Sequence, residues 1–74
     1  MSHWPSTQAK RVLRALERIG WKEDPGHSKG GSHRRLVHTD FPEGFIWAFH
    51  VSEEIGPRML ARIAKKTGLK PSDL

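Results

Sequence analysis

Residues 32–51 read SHRRLVHTDFPEGFIWAFHV, and the fold turns on how this stretch divides. Two strand candidates, residues 32–39 and 45–51, flank Asp40, Phe41, Pro42, Glu43 and Gly44, whose proline and glycine are turn residues. Two strands around a turn make an antiparallel hairpin. In the first strand, alternation places His33, Arg35 and Val37 on one face and Ser32, Arg34, Leu36 and His38 on the other. Leu36 is the larger apolar anchor, so its face is expected inside. His33 and Arg35 then point outward, about 6.6 Å apart by two residue rises. In the second strand Phe45, Trp47 and Phe49 share a face. The chain holds only three Phe and three Trp, and a small core needs most of them, so this stripe is expected inside. That leaves His50 on the outward face with His33.

Working outward, residues 6–20 carry Ala9, Val12, Leu13, Leu16 and Ile19 at helical spacing, with Ser6 or Thr7 as N-cap and Gly20 as the stop. On the polar side of this helix Lys10, Arg14 and Arg18 follow at i, i+4 and i+8. Such a ridge is either a solvated face or a line of phosphate contacts. Trp21, Lys22 and Glu23 are a short strand candidate, and Asp24 to Gly31 are loop-forming by their Pro and Gly content. A last helix starts at Pro57, with Glu53 and Glu54 near the positive end of its dipole, and buries Met59, Leu60, Ile63 and Ala64 before Gly68 and Leu69 end it. The expected fold is α+β: one domain over residues 1–74 with a tail at 1–5, in order α-β-β-β-α, two helices covering one face of a three-stranded antiparallel sheet.

Thirteen Lys and Arg against eight Asp and Glu give a formal net charge of +5, and the sequence pI is near 10.3. Polyanions, nucleic acid first among them, are the favoured partners. There is no cysteine, which excludes disulfides, thiolate metal sites and a cysteine nucleophile. With no apolar leader and no run near the roughly 18 apolar residues of a membrane span, the expectation is a soluble cytoplasmic protein with no membrane partner.

The chemistry concentrates at residues 29–35, Lys-Gly-Gly-Ser-His-Arg-Arg. Glycines allow close backbone approach, imidazole moves a proton near neutral pH and guanidinium holds phosphate. His33 is a candidate base or acid for attack by a ribose 2′-hydroxyl on phosphorus, with a cation holding the developing charge. A strand histidine that binds phosphate without chemistry is the alternative. His27, His33 and His38 do not have the spacing of a zinc module, so no metal or other cofactor is expected. A Ser-His-Asp arrangement is disfavoured because Ser32 and His33 are adjacent and point apart on a strand.

Gly31-Ser32-His33, the histidine five residues later, and the ending I-A-K-K-T-G-L after a leucine-containing first helix resemble the HicA toxins, also called YcfA-like proteins, over nearly the whole chain. The resemblance implies a fold like that of double-stranded RNA-binding domains, ribosome-independent cleavage of mRNA, and neutralisation by a HicB-type antitoxin. It implies that His33 is catalytic and that Gly31 and Ser32 position it. Two departures stand out. Arg34 and Arg35 occupy positions where the family often has another histidine or a glutamine, and Phe45, Ile46, Trp47 and Phe49 replace a more polar turn and a valine-rich strand.

The sequence therefore points to a metal-independent endoribonuclease toxin. His33 is the expected catalytic group, with His50 as a possible accessory. Lys29, Arg34 and Arg35 are expected near the phosphate, and Lys10, Arg14, Arg18, Lys65 and Lys66 as electrostatic contacts to RNA. The rival is a module that binds structured RNA without cutting it. A patch for a protein, made of Val37, Ile46 and Ala48, is compatible with either.

Overall fold

The computed structural model describes residues 4–24 and 34–74. The elements run β1 (Thr7–Gln8), α1 (Ala9–Arg18), β2 (Lys22–Glu23), β3 (Arg34–His38), β4 (Phe41–Trp47), β5 (Glu54–Ile55) and α2 (Pro57–Thr67), followed by a single 3-10 turn, Pro71–Asp73. The architecture is α+β, with two helices and an antiparallel sheet in the order β2-β3-β4.

Helix α1 forms because Ala9, Val12, Ala15 and Leu16 recur at helical spacing, and all four are buried. It starts later than the caps in the sequence suggested. Thr7 and Gln8 pair with Ile55 and Glu54 as the small β1–β5 ladder, and the Thr7 hydroxyl donates to the Pro5 carbonyl at 2.7 Å rather than to a helix N–H. The first helical N–H groups are met by distant backbone instead: Ala9 donates to the Glu53 carbonyl at 2.8 Å and Lys10 to that of Val51 at 3.4 Å. Trp4, within the stretch read as a tail, is buried and joins the core.

The hairpin differs from its sequence parsing in one respect. Asp40 to Gly44 is not all turn: only Thr39 and Asp40 are, and β4 already begins at Phe41. Leu36 lies opposite Phe45 and His38 opposite Phe41, so β4 uses four residues where β3 uses two. Gly44, with φ +71°, absorbs the irregularity. Pro42 is tolerated because β4 is an edge strand, where a missing N–H removes no ladder bond on the outer side. At its other end β4 stops at Trp47, so Phe49 and His50 lie beyond the strand.

Leu36 and Trp47 face inward, as expected, and meet Val12 and Leu16 of α1 and Leu60 and Ile63 of α2 in one cluster, with Phe45 and Phe49 partly buried against it. Trp21 lies at its centre. Its backbone N–H donates to the Leu16 carbonyl, its indole N–H donates to the Thr67 carbonyl at 3.0 Å, and its ring packs on His38 and Phe41 with centroids 5.2 and 5.4 Å away.

Helix α2 begins at Pro57 and ends at Gly68, left-handed at φ 76°, with Leu69 buried behind it. Glu53 and Glu54 are not in its first turn. Glu54 belongs to β5, and the Glu53 carboxylate accepts the His50 N–H at 2.7 Å.

Gly20 sits at φ +110°, and a Cβ there would lie 2.7 Å from His38 Nε2. Both backbone strain and a side-chain clash oppose any larger residue. Gly20→Ala is expected to lower stability by about 2 kcal/mol, a drop in Tm of about 10 °C for a domain of this size, read by circular dichroism melting.

Candidate nucleic-acid interface

His33, Gly31, Ser32 and Lys29 lie outside the described residues, as does His27. The chain enters the sheet at Arg34, opposite Trp47, the last residue of β4. Arg34 and Arg35 therefore stand where the segment carrying Gly31-Ser32-His33 joins the sheet, and they take opposite faces. Arg35 lies opposite Ile46 and Val37 opposite Lys22, which makes this the open face, as the alternation predicted.

Both arginines are paired. Arg34 Nη1 is 3.5 Å from Glu23 Oε1, with both side chains nearly half exposed. Arg35 Nη1 is 3.2 Å from Asp24 Oδ2, and this pair is the better enclosed of the two. Asp24 also donates its backbone N–H to the Arg35 carbonyl at 2.8 Å, and a Cβ on Gly44 would come within 3.3 Å of Arg35 Nε. The Arg35 guanidinium thus lies close to Gly44 of β4 and is held by the Asp24 carboxylate that follows β2. Arg34 is the easier of the two to recruit, because an exposed ion pair is worth only about 0–1 kcal/mol. Glu23 and Asp24 were not singled out in the sequence. Their role follows from the β2–β3 register, which places Glu23 opposite Leu36.

The ridge on α1 is shortened. Lys10 and Arg14 are exposed on the helix, but the Arg18 guanidinium donates to the Asp73 carbonyl and ties α1 to the C-terminal turn. Lys65 and Lys66 are exposed at the end of α2 and line the surface beside Phe45 and Ile46. With Arg58 and Arg62 they make α2 a helix of basic residues with no acid, a pattern whose i, i+4 and i+8 spacing was available in the sequence.

The two described histidines differ. His50 is exposed past the end of β4, so it is not a strand residue on the outward face, and its backbone N–H is held by Glu53. His38 is a fold residue. Its Nδ1 accepts the Asp40 N–H at 3.0 Å, and Nε2 lies 2.8 Å from the Ile19 carbonyl. A carbonyl only accepts, so Nε2 carries the proton and the ring is the neutral tautomer. Both nitrogens are committed within the fold, which leaves neither for a metal.

These observations define a small basic α+β domain whose cations border a sheet end and cover one helix. A family model for the HicA toxin of bacterial toxin-antitoxin systems matches residues 9–69. The chain belongs to the HicA toxin family. In the comparisons with curated proteins and with solved structures, nothing matched. Among the described residues no helix is long and apolar enough to cross a membrane.

Proposed function

We propose that this chain is an RNA-cleaving toxin whose acid-base group is His33, held in check by a HicB-type antitoxin. The observation that carries the reading is the extent of the family match, which runs from residue 9 to residue 69 and so spans Gly31-Ser32-His33. In this reading the imidazole takes the proton of a ribose 2′-hydroxyl as its oxygen attacks the neighbouring phosphorus. The bond from phosphorus to the 5′-oxygen of the next nucleotide breaks, leaving a 2′,3′-cyclic phosphate, and that oxygen departs as a hydroxyl with a proton from the imidazolium or from water. Gly31 and Ser32 position the ring. Arg34, next in sequence and only weakly paired with Glu23, turns to a phosphoryl oxygen and holds the charge that develops there. Lys29 and, once released from Asp24, Arg35 add to the field. His50 stays an accessory candidate at the same end of the sheet, where β4 ends.

Lys10, Arg14, Lys65 and Lys66 bind the backbone of the RNA in this account. If each neutralises one phosphate of a single strand, the logarithm of affinity falls with the logarithm of salt concentration at a slope of about −3. Fluorescence anisotropy of a labelled single-stranded RNA across a salt titration reads that slope. A flat titration contradicts the electrostatic part of the reading. Chelator in the cleavage buffer is expected to leave activity unchanged.

A further inference from the structure

A groove of about 500 Å³ runs between β4 and α2. Met59 lines it with Ala48 and Phe49 but does not border residues 40–44, which Lys65 and Lys66 do, and a Cβ on Gly68, just past the helix, would touch Phe41. Helix and strand therefore run antiparallel along it. Phe45 and Ile46 both line the groove, yet neighbouring strand residues point to opposite faces, so the groove passes over the outer edge of β4. That edge has no neighbouring strand in the order β2-β3-β4.

Natural edge strands are usually blocked by charge, proline or a bulge. Here Pro42 and the irregularity at Gly44 block one end of β4, whereas Phe45, Ile46, Trp47 and Ala48 offer no such obstacle. Ile46 and Met59 expose large aliphatic side chains on the two walls, at 50 % and 39 %. The rim is cationic: Arg62, Lys65 and Lys66 line it, and none of them has an ion pair among the described residues.

We propose that an extended, acidic segment of a partner protein docks here, adding a fourth strand beside residues 45–47. Its backbone pairs with the open edge, its alternate apolar side chains enter between Ile46 and Met59, and its carboxylates meet Arg62, Lys65 and Lys66. A strand edge matches a peptide backbone rather than a sugar-phosphate chain, and a second copy of this protein brings a like net charge of +5. The proposal rests on the groove and not on RNA cleavage.

The test uses the full chain to select from a random-sequence peptide display library, followed by titration of the best peptide. Enriched sequences are expected to alternate apolar residues with Asp or Glu, and to bind Met59→Glu and Arg62→Glu at least about tenfold more weakly than wild type. Both variants should keep the wild-type circular dichroism spectrum, and Met59→Glu, which removes no cation, should cleave saturating RNA at the wild-type rate. Absence of enrichment, enrichment of peptides without acidic residues, or binding of the best peptide to both variants as tightly as to wild type would each overturn it. If the wild-type protein cleaves no RNA, the peptide titrations still decide the proposal by themselves.

Discussion

Alanine at position 33 is expected to lower RNA cleavage by about 10² to 10⁴-fold, the usual contribution of a placed acid-base group, while RNA affinity changes little. The separation between rate and affinity is what distinguishes chemistry from phosphate binding. A histidine that only held phosphate would lose affinity and rate together. Of the described histidines, His38 is not free to compensate. Both nitrogens of His38 are engaged within the fold, and His50 lies on a segment past the strand end. The check is single-turnover cleavage and equilibrium binding on the same protein preparations, with melting curves to show that the variant is folded.

Trp21→Ala carries the largest expected effect on stability. The side chain is 1 % exposed, joins α1 to α2 through its bond to the Thr67 carbonyl, and packs on His38, Phe41 and Phe45. Truncating a core aromatic of this kind costs about 3–5 kcal/mol. A domain of this length has a total stability near the low end of about 5–15 kcal/mol, so the variant should have little or no cooperative melting transition. Trp21→Phe retains ring contacts but leaves the Thr67 carbonyl without its donor, and should fold with a reduced melting temperature. A Trp21→Ala protein that melts like wild type would contradict the placement of this ring at the centre of the core.

The two long helices were legible because each carries a local signature. Ala9, Val12 and Leu16 set the buried side of the first, and Pro57 and Gly68 mark the ends of the second. The inward face of Leu36 and the burial of Trp47 also followed from alternation. The start of β4 did not, because Pro42 and Gly44 are turn residues by local rule and only the edge position of the strand makes room for them. The β1–β5 ladder is two residues long on each side and joins Thr7 to Ile55, too short and too distant in sequence to leave a periodic signal.

The same distinction applies to the interface. Positive charge on α1 and α2 was visible, but which cations are already engaged depends on contacts between remote segments. Arg18 is drawn to the Asp73 carbonyl, and Arg34 and Arg35 meet Glu23 and Asp24 only because β2 pairs with β3 in a particular register. The consequence for RNA is an order among the cations: Arg34 yields its carboxylate more readily than the better enclosed Arg35.

The most direct measurement incubates the purified, folded chain and its His33→Ala variant with a long single-stranded RNA in chelator-containing buffer and resolves the products on a denaturing gel. Fragments from the wild type, with intact RNA in the variant lane, are the predicted result. RNA that is bound by the wild type and stays intact would contradict the account and leave a domain that holds RNA without cutting it.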